Sequence, residues 1–110
     1  MRIKYKNNKL GKQLANASSI KMNFGINAKR ISIRLADIES SPTLAVLIQI
    51  RAANCHPLGG DRKGEWAVDV SGNFRMIFEL DHDPLPQTND GSIDVSSITD
   101  IRIVEIGDYH

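Results

Sequence analysis

The first third of this chain lacks acidic residues altogether. Residues 1–34 hold nine of the 14 lysines and arginines, while all 13 Asp and Glu residues lie from Asp37 onward. A net charge of +1 therefore conceals a strongly basic N-terminal block. Such a block favours an anionic partner, either nucleic acid or an acidic protein. The alternative is a pair of solvated basic helices. We favour the anionic partner because no nearby acid balances the charge.

Cysteine, histidine clusters and long apolar runs are also scarce. The single Cys55 allows no internal disulfide, and three scattered histidines form no zinc-binding pattern. No apolar run approaches membrane-spanning length, and the polar opening Met1–Lys6 has no signal-peptide core. With 110 residues and 41% hydrophobic content, we expect one cytoplasmic domain, residues 1–110, that needs neither metal nor cofactor.

The N-terminal half shows helical periodicity. Arg2–Lys6 alternates apolar and basic residues, which predicts a short first strand. A stripe of apolar residues from Leu10 to Phe24 then recurs at spacings of three and four, which predicts one amphipathic helix. A second helix is predicted to begin at an Asn27 cap, and a short third helix to follow Ser41.

The C-terminal half shows the alternation of β-strands. Trp66–Val70 and Phe74–Leu80 flank the turn Ser71-Gly72-Asn73, which predicts a hairpin with one buried face. Ile101–Ile106 is apolar on both faces, as expected of a central strand. The looser segment Asp81–Asp100 predicts an excursion with a small turn and a brief strand. The sequence therefore predicts an α+β fold, with two N-terminal helices and a short third packed on one face of a small antiparallel sheet.

Polar residues on the open face of that sheet are the candidates for chemistry. We expect Arg75 to stand there in mid-strand, His56 to enter the sheet and His110 to leave it at the ends of neighbouring strands. Two imidazoles that titrate near neutrality suit proton transfer on a phosphodiester, and a guanidinium suits the phosphate itself. The alternative for Arg75 is a cross-strand ion pair with Asp69 or Glu79.

The chain resembles a known family over nearly all of its length. The resemblance lies in the loop from His56 to Gly64, in Arg75, in the terminal Asp108-Tyr109-His110, and in the N-terminal segments Lys9-Leu10, Phe24-Gly25 and Arg34–Glu39. In this order, these residues are similar to the HigB branch of the RelE/ParE toxin superfamily. The resemblance implies a RelE/ParE-like fold and the toxin of a type II toxin–antitoxin system.

The activity that the resemblance implies is ribosome-dependent, metal-independent cleavage of mRNA by attack of the RNA 2′-hydroxyl. The residues implicated in HigB toxins correspond here to His56, Arg75, Asp108, Tyr109 and His110. The cations expected to contact RNA are Lys12, Lys29, Arg30, Arg34, Arg62 and Lys63. The implied partners are the ribosome, mRNA and a HigA-type helix-turn-helix antitoxin. We expect no membrane partner, a monomeric toxin and a larger assembly with the antitoxin.

Two other functions remain open from the sequence. A ParE-type toxin would inhibit DNA gyrase without catalysis, and such toxins lack the histidine-rich site. A decayed toxin would only bind its antitoxin. The decayed toxin is suggested by Gly59, because relatives in this family commonly carry a lysine at that position.

Overall fold

A mixed five-stranded sheet lies at the centre of the structure, a computed structural model that describes residues 1–108. In chain order its strands are β1 (Arg2–Tyr5), β2 (His56–Pro57), β3 (Glu65–Ser71), β4 (Phe74–Leu80) and β5 (Asp100–Asp108). Their spatial order is β1-β5-β4-β3-β2, with β1 parallel to β5 and the other neighbours antiparallel. The predicted hairpin and the central place of the last strand are confirmed, and the parallel edge strand makes the sheet mixed rather than wholly antiparallel.

Helices cover one face of this sheet. They are α1 (Asn8–Gln13), α2 (Ala17–Phe24), α3 (Ala28–Ser40) and α4 (Leu44–Ile48), with short 3₁₀ turns at Gly25–Asn27, Arg51–Ala53, Gly60–Arg62 and Val95–Ser97. The predicted α+β fold is therefore confirmed. In the part of the chain that the structure describes, none of the helices has the length and apolar character needed to cross a bilayer.

One hydrophobic core joins the helices to the sheet. The apolar stripe of α3 is buried against alternating residues of the three central strands, and the largest fully buried side chains of this core are Phe78, Ile31, Ile38, Leu44, Leu47, Met76, Ile98, Ile101 and Ile103. Ile77 is also buried, but it lies on the opposite face of β4 and outside this core. Removing such side chains from water is the main source of stability for a domain of this size. The core thus commits one sheet face to packing and leaves the other face for a site.

The expectation of a single helix from Leu10 to Phe24 is wrong. The chain forms α1 and α2 instead, and each begins at an asparagine cap. Asn7 Oδ1 accepts from the Leu10 amide at 2.9 Å, and Asn16 Oδ1 accepts from the Ser19 amide at 2.8 Å. Asparagine competes with the helix interior for backbone partners and favours caps. The apolar stripe continues in register across the break, so periodicity alone does not reveal it.

The second predicted helix begins where expected, directly after Asn27, but the Asn27 side chain makes no capping hydrogen bond. Its oxygen instead accepts a hydrogen bond from Ser71 Oγ at 2.6 Å, and a 3₁₀ turn precedes the helix. The start of the short helix α4 does differ from the prediction. Ser41 does not cap α4, which begins after Thr43. The buried Ser41 hydroxyl instead donates to the Asp37 carbonyl at 2.7 Å, at the end of α3.

The excursion of residues 81–99 follows the edge of the core with little regular structure. Its predicted small turn is present, with Thr88 N donating to Ser92 O at 2.8 Å. The predicted brief strand is reduced to one bridge between Gln87 and Ile93. Ile98 is fully buried and its carbonyl accepts from the Leu44 amide at 3.0 Å, so the excursion is anchored to α4.

Candidate functional site

The sheet face opposite the helices, here called the outer face, brings two of the predicted site residues onto one surface. His56 pairs with Ala67 across β2 and β3, and Arg75 pairs with Asp69 across β3 and β4. Residues directly opposite each other in antiparallel strands project to the same side, and so do residues two apart along a strand. His56, Asp69 and Arg75 therefore share the outer face, as the alternation of the sequence predicts for Arg75.

A continuous chain of hydrogen bonds connects these residues. The His56 Nδ1 atom lies 2.6 Å from the Asn54 carbonyl oxygen, and Asn54 Nδ2 donates to Asp69 Oδ2 at 2.9 Å. Arg75 Nε donates to the other carboxylate oxygen, Asp69 Oδ1, at 3.1 Å. We call these four residues the His56–Arg75 chain. It ties the loop before β2 to the hairpin, so both candidate catalytic side chains are oriented by one network.

The contact of His56 with a carbonyl oxygen determines its tautomer. A carbonyl oxygen only accepts hydrogen bonds, so the proton of the neutral imidazole must sit on Nδ1. Nε2 then has its lone pair available, and the ring is only half-buried. A neutral imidazole held with Nε2 available is suited to accept a proton from a hydroxyl.

Arg75 is paired, but only through one of its nitrogens. Its carboxylate partner is Asp69, one of the two partners considered from the sequence, whereas Glu79 binds Arg102 at 3.2 Å. The terminal nitrogens of Arg75 make no hydrogen bond to any residue from 1 to 108. Gly107 faces Arg75 across β4 and β5, and a methyl group placed on Gly107 would meet no atom of residues 1–108 within 4 Å. Within this described range the guanidinium therefore has open space beside it, and its terminal nitrogens are left to donate to a phosphate.

Asn54 was missed by the sequence reasoning. Its backbone has φ 45° and ψ 51°, the left-handed conformation, and within residues 1–108 no other non-glycine residue has a positive φ. Asparagine tolerates this conformation better than most residues. The one available signal was an asparagine two positions before His56, which alone does not distinguish a turn residue from a site residue.

Of the three predicted site residues at the chain end, the structure describes Asp108. Asp108 pairs with Phe74, whose ring packs edge-on against Phe24 in the helix-covered part of the molecule, with 6.5 Å between the ring centroids. Strand alternation therefore puts Asp108 on the face opposite Arg75. Tyr109 and His110 lie outside the described residues.

Two of the cations predicted to contact RNA are held by protein groups. Arg34 is 11% exposed and donates to the Asp69 carbonyl at 2.7 Å, to Asp37 at 3.1 Å and to the Ala52 carbonyl at 2.9 Å. Its place is structural, because it joins α3 to β3 and to the segment before β2.

Arg62 bridges Glu105 at 2.5 Å and Glu65 at 2.9 Å across the outer face. Hydrogen bonds first to Glu105 and then to Glu65 raise the pKa of its guanidinium. The remaining predicted cations, Lys12, Lys29, Arg30 and Lys63, are exposed. Of these, only Lys63 belongs to the loop between β2 and β3, next to the His56–Arg75 chain.

The structure also shows the surroundings of Cys55 and Gly59, which are close to this site in the sequence. Burial raises the pKa of the Cys55 thiol to about 12, so it is not a nucleophile at neutral pH. Gly59 has φ −118° and ψ −169°, and a methyl group there would meet no atom of residues 1–108 within 4 Å. The backbone at position 59 is therefore extended and does not require glycine. Among residues 1–108 no group of His, Cys, Asp and Glu is arranged to hold a metal ion.

Comparison with known proteins finds similarity in structure but not in sequence. No protein-family model and no curated protein sequence matches the chain. A YoeB/ParE toxin from Agrobacterium tumefaciens matches 100% of both chains with a TM-score of 0.55 and 9% identity. A crystal structure of the YafQ mutant H87Q from E. coli matches 98% of this chain and 93% of its own, with a TM-score of 0.57 and 16% identity. The chain therefore has the fold of RelE/ParE-type toxins, and identities this low extend no further than the fold.

Proposed function

We propose that this protein is the toxin of a type II toxin–antitoxin system and an endoribonuclease of the HigB kind, which cleaves mRNA on the ribosome without a metal. The observation on which the proposal rests is the His56–Arg75 chain, because it presents an available imidazole Nε2 and a partly unsatisfied guanidinium on the outer face. The toxin fold supports the class of protein, and the resemblance in the His56 loop and the chain end supports the HigB branch.

The proposed reaction uses the RNA itself as nucleophile. His56 Nε2 takes the proton of the 2′-hydroxyl while the 2′-oxygen forms a bond to the adjacent phosphorus. Arg75 donates from its terminal nitrogens to the phosphate oxygens, whose negative charge increases in the transition state. The bond from phosphorus to the 5′-oxygen then breaks, leaving a 2′,3′-cyclic phosphate and a 5′-hydroxyl.

The leaving 5′-oxygen needs a proton, which we assign to the chain end. Of Asp108, Tyr109 and His110, the histidine suits this task best because an imidazolium gives up a proton near neutral pH. Tyr109 offers an aromatic face for an unstacked base. Asp108 lies on the face opposite Arg75, so we assign it no contact with the reacting phosphate.

The Asp69 carboxylate already binds the Arg75 guanidinium before a substrate phosphate arrives. It holds Arg75 Nε at 3.1 Å, and the two side chains are 29% and 26% exposed. A phosphate bound at Arg75 therefore shares the guanidinium with a carboxylate that keeps it oriented. Orientation of the donor before substrate arrives is the usual basis of electrostatic catalysis.

The partners of the proposal follow from the exposed cations and from the family resemblance. Lys63, and Arg62 through its surface-exposed part, would contact mRNA beside the site. Lys12, Lys29 and Arg30 would contact ribosomal RNA, which a basic surface attracts without sequence preference. The neutralising partner would be a HigA-type helix-turn-helix antitoxin, with the free toxin monomeric in the cytoplasm and a larger assembly formed with the antitoxin.

Induction of the gene in bacteria, followed by mapping of mRNA 5′ ends, tests this function. We expect new 5′ ends that depend on translation and disappear with His56→Ala or Arg75→Ala. Arg102→Ala is a matched control, since Arg102 is an outer-face arginine paired with Glu79 and Asp81 away from the His56–Arg75 chain. DNA damage with intact mRNA would instead identify a gyrase inhibitor, and neither effect would identify a protein that only binds its antitoxin.

A further inference from the structure

Two apolar side chains of the outer face are buried, although the helices cover the other side of the sheet. Ile77 is 1% exposed and Ala67 is fully buried. They face each other across β3 and β4, in the row next to Asp69 and Arg75. Neither side chain belongs to the core between the helices and the sheet. Another part of the chain must therefore lie over the outer face beside the His56–Arg75 chain.

The connection between β2 and β3 has the bends needed to reach this place. It comprises residues 58–64 and is here called the 58–64 loop. Gly60 has φ +59° and Gly64 has φ +98°, conformations that suit glycine, and the short turn Gly60–Arg62 lies between these bends. The Leu58 amide donates to the Glu65 carbonyl oxygen at 2.8 Å. The two ends of the loop are thus held together, and its middle is turned back towards the sheet.

Arg62 fastens this loop across three strands. Its Nη1 donates to Glu65 Oε1 on β3 at 2.9 Å, and its Nη2 donates to Glu105 Oε1 on β5 at 2.5 Å. Since β4 lies between β3 and β5, the guanidinium must extend over β4, where Ile77 pairs with Glu105. We call the contacts of Arg62 with these two glutamates the Arg62 bridge. The bridge accounts for the burial of Ile77 on a face that the helices do not cover.

The Arg62 bridge also balances charge on the outer face. Glu65 and Glu79 stand directly opposite each other across β3 and β4, where like charges are destabilising. Arg62 binds the first, and Arg102 binds the second at 3.2 Å. Without Arg62, the loop would lose its attachment to the sheet, and Glu65 would lose the cation that offsets its repulsion from Glu79. Electrostatics therefore favours the loop in the position seen here.

His56 depends on the 58–64 loop for its position. It stands on β2, a strand of two residues at the edge of the sheet. So short a strand has few hydrogen bonds of its own, and the segments at its two ends determine where it lies. On one side the His56–Arg75 chain holds Asn54, and on the other side the 58–64 loop follows Pro57 directly. The Arg62 bridge therefore secures the second of two attachments that fix the imidazole.

We infer that Arg62 is a positioning residue for the proposed cleavage reaction: by bridging Glu65 and Glu105 it holds the 58–64 loop on the outer face and thereby orients His56 towards a phosphate at Arg75. This inference rests on the proposed function and assigns a further residue to it. Proton transfer requires the imidazole within hydrogen-bond distance of the 2′-hydroxyl, and a small displacement of a reacting group costs a large factor in rate.

Glu105→Met separates this role from a direct contact of Arg62 with RNA, because the two roles predict opposite effects. The substitution keeps Arg62 and removes a carboxylate, so an RNA contact alone predicts equal or tighter binding and cleavage at least as fast. Positioning predicts a single-turnover rate at saturation about tenfold lower, with the half-saturating ribosome concentration little changed. Glu79→Met is the matched control, since Glu79 is a similarly exposed outer-face carboxylate, 41% against 47%, that pairs with Arg102 instead.

A double-mutant cycle shows whether Arg62 and Glu105 act through each other. Arg62→Met should lower the rate at saturation about as much as Glu105→Met, and the double variant should lose little more than either single variant. Arg62→Lys keeps the charge but lacks the planar fork that binds two carboxylates, so it should not restore the rate. Full activity of Arg62→Lys, or losses that simply add in the double variant, would assign Arg62 to RNA contact and overturn the inference.

The position of His56 is measured without reference to activity. In Glu105→Met and Arg62→Met, the ¹⁵N signals of the His56 ring should shift, and the amides of Leu58, Arg62 and Lys63 should exchange with solvent about tenfold faster or more. Glu79→Met should change neither. A thermal melt of each variant verifies that the fold is retained, as expected for side chains outside the core.

Two outcomes distinguish a failure of this inference from a failure of the proposed function. Unchanged His56 signals in Glu105→Met, or cleavage as fast as that of the unaltered protein, would overturn the positioning role alone. Absence of cleavage by the unaltered protein would overturn the ribonuclease function and the role of Arg62 in it, even if the His56 signals respond to the Arg62 bridge.

Discussion

The arginines of the outer face and the exposed cations of the N-terminal helices differ in how they are held. On the outer face Arg62, Arg75 and Arg102 are each bound by carboxylates from neighbouring strands. On the N-terminal helices Lys21, Lys29 and Arg30 project without a carboxylate from residues 1–108. A paired guanidinium is oriented and suits chemistry at a fixed point, whereas unpaired cations on a surface attract a partner over a distance. The comparison therefore separates a candidate catalytic face from a binding face.

The largest effect is expected from removing an oriented cation of the outer face. Arg75→Ala and His56→Ala should each lower the rate of mRNA cleavage by ~10²–10⁴-fold, the range for loss of a proton-transfer group or a transition-state donor. Arg102→Ala should leave the rate nearly unchanged. Single-turnover cleavage of ribosome-bound mRNA measures this difference. Equal losses for Arg75 and Arg102 would mean that the outer face acts only through its general charge.

Arg34 is an exception among the cations of the N-terminal helices. It belongs to the basic block by sequence, but protein groups bind it as they bind the outer-face arginines. Arg34→Ala should lower the free energy of unfolding by about 2–4 kcal/mol, because it removes three hydrogen bonds and leaves carbonyl acceptors unsatisfied. Arg30→Ala, one turn away and exposed, should change it by less than about 0.5 kcal/mol. Denaturant titration gives both values, and similar losses for the two would place Arg34 with the binding cations.

Asn54 allows the backbone and side-chain contributions to the site to be separated. Asn54→Gly keeps the left-handed backbone and loses the bond to Asp69, so it should lower cleavage while the fold stays stable. Asn54→Ala should be about 1 kcal/mol less stable than Asn54→Gly, because alanine is strained at positive φ. NMR of the His56 ring nitrogens and of the Arg75 Nε–H signal follows the orientation of both side chains without reference to activity. Unchanged signals in Asn54→Gly would remove Asn54 from the site.

The smallest effect is expected from Gly59→Lys, which adds a cation to the loop beside the His56–Arg75 chain. Gly59→Lys should leave the melting temperature unchanged, since the backbone is extended and space for a side chain is open. Cleavage should rise by about tenfold if the added charge reaches a substrate phosphate, which corresponds to the lower end of the roughly 1.5–3 kcal/mol that a charge-assisted contact contributes. Gly59→Gln is the uncharged control. A gain with Gln equal to that with Lys would exclude a charge effect.

Local sequence patterns were sufficient to predict the hairpin, the central strand and the face on which Arg75 stands. They were not sufficient to predict contacts between segments that are distant in sequence. Nothing near Arg34 in the sequence distinguishes it from Arg30, because two of its acceptors are carbonyls 18 and 35 residues away. The break between α1 and α2 was missed because the apolar stripe remains in phase across it. The pairing of β1 with β5 and the hydrogen bond from Asn54 to Asp69 could not be predicted either, because each joins segments that only the complete fold brings together.

The most direct test of the central claim is the pH dependence and product chemistry of mRNA cleavage by the purified protein on programmed ribosomes. If His56 Nε2 is the base, single-turnover rates should rise with pH to a plateau, and the products should end in a 2′,3′-cyclic phosphate and a 5′-hydroxyl. His56→Ala should remove that rising limb while Arg102→Ala retains it. A rising limb that persists in His56→Ala, or products with a 5′-phosphate, would contradict the assignment of the outer face as the site of RNA cleavage.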